Sequence, residues 1–212
     1  MTDRTAPSVV RRLAAGPGGV VRVAGVVCLL VALVVRGPVD TALFALVLAG
    51  LMVPPAAGAP RWLDAAYGVG LLAAAWCGAL ELYQAVGWLD VVMHLVVTGL
   101  IAAVAYLLLA RRTGAVVDPR AVATRAERLG LVVVTVGLGL TLSVAWEVGE
   151  YLGNAYIDPE IYVGYADTVG DLVAGGAGSA VAGLWLTARR GEVGEDGPHD
   201  ALRPSLDRRG PR

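Results

Sequence analysis

Lysine is absent from the 212-residue chain, and all 17 of its basic residues are arginine. Chemistry that needs a lysine amine, such as Schiff-base formation, is therefore excluded. Phenylalanine occurs once, and histidine and cysteine twice each. With no Cys-x-x-Cys spacing there is neither a thiolate zinc site nor a disulfide framework. Cys28 and Cys77 both sit in apolar stretches, where a thiol behaves as a small hydrophobe, and both are expected to be free. Charged residues make up 17% of the chain, against about 25% in a soluble domain. The formal net charge is −1, which leaves no basic stripe for nucleic acid. Hydrophobic residues fill the space, at 57% with 28 glycines besides, and the mean hydropathy is +0.67. Between Trp62 and Ala110 the charged side chains are Asp64, Glu81 and Asp90 alone. A soluble globular enzyme and a disordered chain are both excluded. The composition predicts an all-α, polytopic transmembrane helical bundle whose first partner is the lipid bilayer.

A span takes about 20 mostly apolar residues to cross ~30 Å of hydrocarbon. Six segments are expected to meet that length: residues 20–35, 41–57, 65–87, 91–110, 129–149 and 168–187. The first has an uninterrupted apolar run only over 23–35, so Arg22 is expected to snorkel to the headgroups. A cleaved signal peptide competes for this segment. It is disfavoured by Arg36 directly after the run and by the lack of an A-x-A site. Arg36-Gly37-Pro38 is turn chemistry and predicts a tight hairpin into the second span. Residues 1–18 and 190–212 are polar and turn-rich and are expected to be disordered cytoplasmic tails around a membrane domain over 19–189. His199 falls in the second tail and is no site candidate.

Arginine sets the orientation, because cytoplasmic segments carry the excess of positive charge. Arg4, Arg11, Arg12, Arg22, Arg61, Arg111, Arg112, Arg120, Arg125, Arg128 and the arginines from Arg189 onward all fall on one side of the alternation. Only Arg36 falls on the other. Both termini are thus expected in the cytoplasm.

The acids collect on the outer side. Glu81 lies near the end of the third span, Asp90 and His94 open the fourth, Glu147 and Glu150 close the fifth, and Asp167 and Asp171 open the sixth. Asp90 and His94 are i,i+4, Glu147 and Glu150 are i,i+3, and Asp167 and Asp171 are i,i+4, so each pair shares a helix face. The faces continue inward as Thr98 and Ala102, as Ser143 and Gly139, and as Gly175, Ser179 and Gly183. Small stripes of this kind let membrane helices approach closely, which would gather the three pairs. Carboxylates so gathered need a counter-charge, so either protons are shared or a divalent metal neutralises them. One imidazole with several carboxylates suits Mg²⁺, Mn²⁺, Fe²⁺ or Zn²⁺. Asp90, His94, Glu147, Glu150, Asp167 and Asp171 are the candidate metal ligands. As plain structure, Asp90 and Asp167 would cap helix N-termini and His94 would be a hydrogen-bonded packing residue. Glu81 reads as an interfacial acid. The outer aromatics, including Tyr83, Trp88, Trp146 and Tyr151, read as an interfacial belt. The segment 153–165 is expected either to fold over the acids as a lid or to be a surface loop.

The order Asp90-x-x-x-His94, Trp146-Glu147-x-x-Glu150-Tyr151 and Asp167-Thr168-x-x-Asp171, followed by a glycine-rich helix, resembles the YjdF-like bacterial inner-membrane proteins. The resemblance covers the last three spans, about 90 residues. A weaker similarity runs to VanZ-like membrane proteins. The YjdF resemblance implies a helical membrane domain and brings no established activity.

Three functions follow from these residues. The first is a membrane-embedded, metal-dependent hydrolase-type enzyme acting on a lipid, a lipid-linked precursor or an envelope component. The second is a cation- or proton-coupled transport module using the same acids. The third is a non-catalytic membrane scaffold or partner protein, with the acids as hydrogen-bonding glue between helices.

Overall fold

A computed structural model describes residues 16–188, and among these the chain is helical with no strand. A chain this apolar must satisfy its backbone polar groups within each segment, and the helix does so. Eight helices are described: α1 Gly16–Val35, α2 Pro38–Gly50, α3 Val53–Ala57, α4 Arg61–Ala79, α5 Leu82–Ala85, α6 Gly87–Thr113, α7 Arg125–Tyr156 and α8 Tyr165–Ala188.

Local chemistry explains the boundaries. Pro38 opens α2, where its missing N–H costs nothing. Gly114, at φ 63°, terminates α6 behind Arg111 and Arg112 in its last turn. Thr124 and Glu127 form a reciprocal capping box at the start of α7. Glu127 Oε2 accepts the Thr124 N–H at 2.8 Å, and Thr124 Oγ1 accepts the Glu127 N–H at 3.1 Å.

Five segments are long and apolar enough to cross a membrane: Gly16–Val35, Pro38–Ala57, Gly87–Thr113, Arg125–Tyr156 and Tyr165–Ala188. α4, Arg61–Ala79, stands where the third of the six spans is expected but is not among these five. The fold is the multi-pass helical membrane protein that the composition predicts. The helices form two groups, α1 with α2 and α4, and α6 with α7 and α8, joined where α4 and α3 pack on α6. One apolar core lies among α1, α2 and α4 around Phe44, Leu51 and Ala75. The other joins α4, α6, α7 and α8 around Leu63, Tyr106, Leu131 and Leu186.

Several boundaries and one side chain differ from expectation. The first helix begins at Gly16, inside the segment expected to be a tail over 1–18. The remainder of both expected tails lies outside the described residues, as does His199. The third apolar stretch does not run unbroken to residue 87. Its helix stops at Ala79, and Glu81 adopts φ 56° before the short α5. Glu81 is the non-glycine residue with positive φ among the described residues. The mostly apolar character of 65–87 conceals this break, because hydropathy does not register a backbone reversal. Arg22 does not snorkel. It is buried, and its guanidinium donates to Asp64 Oδ1 at 2.5 Å and to the Leu51 carbonyl at 2.9 Å. A buried guanidinium is tolerated when a carboxylate and a free carbonyl meet it, and Asp64 on α4 supplies the carboxylate. Both cysteines are free, as expected, and Cys28 Sγ accepts the Trp76 indole N–H at 3.3 Å.

Candidate functional site

Three glycine- and serine-lined faces build the platform beneath the acids. Gly178 on α8 sits against the Leu95 backbone carbonyl of α6, so close that a Cβ there would overlap it. A Cβ on Gly99 would come within 2.8 Å of the Gly178 carbonyl oxygen. Gly139 on α7 faces Ser179 and Ala102. Gly175 faces Ser143 and Thr98, each about 3.1 Å from where its Cβ would be. The stripes read from sequence therefore do converge, and Thr98, Ala102, Ser143, Ser179 and Gly183 are buried along them.

Above this floor the acids meet. Asp90 and His94, one turn apart on α6, bring Oδ1 and Nε2 to 3.5 Å. Asp171 on α8 places Oδ2 3.9 Å from the same nitrogen. One ligand atom from each of Asp90, His94 and Asp171 lies within 4.8 Å of the others. Asp171 is almost wholly enclosed, at 2% exposure.

Glu147 enters from α7. It is 8% exposed, its Oε1 has no hydrogen-bond partner among the described residues, and the same is true of Ser143 Oγ one turn below. Its charge acts on His94, Asp171, Asp167 and Glu150. Glu150 lies within electrostatic reach of Glu147, Asp90 and Asp171, and Asp167 within reach of Asp90 and Glu147. All six candidates thus lie toward one end of the bundle, and ligand atoms of Asp90, His94 and Asp171 converge there. Arg36, at the same end, does not neutralise them. Its guanidinium is committed to Asp40 at 2.7 Å and to the Ala79 carbonyl that closes α4.

The sequence profile of the family described as "Predicted membrane protein (DUF2238)", the YjdF-like proteins, matches residues 20–192. The chain belongs to this family. The match takes in all of the described spans but the first four residues of α1, and bears out the resemblance read from the acidic motifs. No match was found among curated proteins or among solved structures.

Within this YjdF-like chain three expectations about the site change. Asp90 is no helix cap: the N-cap of α6 is Val86, with no side-chain cap hydrogen bond, and the Asp90 carboxylate turns to His94 instead. Glu147 and Glu150 do not close their helix. It continues to Tyr156, leaving them more than a turn inside, where the C-terminal dipole has faded. The segment 153–165 is loop only over residues 157–164, because α7 and α8 take both of its ends. Asn154 Nδ2 donates to the carbonyls of Pro159 and Ile161, at 3.1 and 2.6 Å, and folds the turn onto α7. Tyr156, Tyr162 and Tyr165 stand exposed around it, as in an interfacial belt.

Tyr83 was not singled out by the sequence beyond that belt. The break at Glu81 brings it inward, where its phenol donates to the Ala74 carbonyl at 3.0 Å and lies within reach of the charges of Asp90, Glu150 and Asp171. Only the positive φ at Glu81 places it there, and a sequence carries no mark of that at a glutamate.

Proposed function

We propose that the cluster is a divalent-metal site, and that the protein is a membrane-embedded hydrolase-type enzyme acting on a lipid or envelope component from the outer face of a bacterial inner membrane. Asp90, His94 and Asp171 are the converging ligands, Glu147 supplies the next oxygen, and Glu150 and Asp167 complete the set. The observation that supports this most is the buried Glu147 carboxylate, whose Oε1 has no hydrogen-bond partner among the described residues, beside three converging ligand atoms. Buried carboxylates in proteins are paired or coordinate metals, and no arginine is at hand here. One imidazole with oxygen donors fits Mg²⁺, Mn²⁺, Fe²⁺ or Zn²⁺. A bound ion of this class supplies an activated water and polarises a carbonyl or phosphoryl oxygen. Glu150 and Asp167 would be the carboxylates to accept a proton from such a water. The transport reading gains nothing from the geometry, because below Thr98 the helices meet through glycine backbone rather than along a polar path.

The arginine distribution supports an orientation with both termini cytoplasmic and the acids outside. The test of the enzymatic reading uses purified protein loaded with Mg²⁺, Mn²⁺ or Zn²⁺ and mixed with a total envelope-lipid extract, with products followed by mass spectrometry. The expected result is metal-dependent loss of one lipid class, abolished by chelator and by His94→Ala. Identical lipid profiles with wild-type protein and His94→Ala under all three metals would contradict hydrolysis.

A further inference from the structure

A second polar concavity lies at the opposite end of the bundle from the acids. It is a cleft of about 180 Å³ between the end of α3, the start of α4, the end of α6 and the loop after it. That is over ten times the ~15 Å³ that admits one water. Ala57, Pro60, Leu107 and Ala110 make its apolar walls, and Arg111, Arg120 and Asp118 its polar ones.

The two arginines carry the argument. Neither has an ion-pair partner among the described residues. Asp118 offsets them only in part: its Oδ1 accepts the Arg120 backbone N–H at 2.8 Å, and the cleft is left with two guanidinium groups to one carboxylate.

Both arginines are exposed residues on the wall of this cleft. Gly58, in the left-handed conformation at φ 68°, leaves room for Arg111, whose Nη1 would lie 2.6 Å from a Cβ there. Arg120 rides on a loop fastened to the bundle by the Tyr106 hydroxyl donating to the Val117 carbonyl at 2.8 Å, and by buried Val122. Two tryptophans mark the same end of the bundle. Trp62 and Trp185 stack edge to face at 4.9 Å at the same end of α4 and α8, and tryptophans collect at the headgroup level.

We infer that this cleft is a binding site for a phosphate group, with the Arg111 and Arg120 forks on its oxygens and the apolar walls against its carbon substituent. Guanidinium matches phosphate oxygens two at a time, which an ammonium does not. Basic clefts between helices on the cytoplasmic side of membrane proteins hold anionic lipid headgroups. A phosphatidylglycerol headgroup and a soluble phosphate compound share this chemistry.

The experiment measures binding of labelled phosphatidylglycerol and phosphatidylcholine to the full-length protein in detergent, with inorganic phosphate as competitor. Wild-type protein is expected to prefer phosphatidylglycerol. The Arg111→Gln/Arg120→Gln variant should lose that preference about tenfold or more, the scale of one charged hydrogen bond. Arg125→Gln/Arg128→Gln, two nearby arginines outside the cleft, should keep it. Displacement of the lipid by millimolar phosphate would show that free phosphate reaches the same arginines. Phosphate binding that needs both arginines, without any lipid preference, would place a soluble phosphate compound there. If the double variant does not fold by circular dichroism, Arg120→Gln alone, on the loop, serves in its place. Binding of phosphatidylglycerol and phosphate that is unchanged in the folded variant, or absent from wild-type protein, would overturn the assignment.

Discussion

At Glu147 a carboxylate oxygen is buried in α7 with no hydrogen-bond partner among the described residues, near the charges of Asp171 and Asp167. A buried acceptor left unsatisfied costs about 1–3 kcal/mol, and an ion in the cluster would relieve that cost. The effect of Glu147→Gln should therefore change sign with metal. In chelator-treated protein the variant should melt above wild type, on the order of 1 kcal/mol, and in metal-loaded protein below it. Thermal melts under both conditions check this, and a variant that melts below wild type in both removes Glu147 from the site. Arg22 presents the reverse case, a buried cation held by Asp64. Asp64→Leu withdraws that carboxylate and should cost about 3–5 kcal/mol. Arg22→Leu with Asp64→Leu should recover most of it, and a double variant no more stable than the single would show that the ion pair is not what Asp64 contributes. The cluster itself was legible because Asp90 and His94, and Asp167 and Asp171, repeat at i,i+4 and therefore share a face. The Arg22–Asp64 pair was not, because it joins residues 42 apart with no periodic relation between them.

Between elements, the closest approach is α6 on α8, where Gly99 and Gly178 set backbone against backbone. Gly178→Ala must drive these helices apart. It should cost about 1–3 kcal/mol and weaken any ligand that needs Asp171 and His94 together. Gly137→Ala, on a face of α7 with nothing within 4 Å, should be neutral or stabilise by up to ~1 kcal/mol. Equal melting temperatures for the two variants would contradict the packing. The small-residue stripes were readable because glycine, alanine and serine recur every third or fourth residue, as helix geometry demands. The ends of α4 and α7 were harder to read. Polar Glu147 and Glu150 suggest a helix end, yet the helix continues through them to Tyr156.

Across the whole molecule the charges are polarised. Carboxylates gather at one end of α6, α7 and α8, and arginines at the other. Reporter fusions at Gly114 should read cytoplasmic and at Pro159 external; the second point lies in the turn between α7 and α8 rather than inside a helix. The reverse pair of readings would invert the orientation. The central claim is that the acidic cluster holds a metal, and elemental analysis of the purified protein against a set of single variants tests it most directly. Wild-type protein should carry near-stoichiometric divalent metal, and chelation should lower its stability by about 2.7 kcal/mol where metal stood at 100-fold excess over Kd. His94→Ala, Glu147→Ala and Asp171→Ala should each lose the metal and the shift. Asp40→Ala, whose carboxylate pairs with Arg36 outside the cluster, should keep both. Metal-free wild-type protein that is indifferent to chelator and unchanged by His94→Ala would contradict the claim and leave the acids as structural contacts between helices.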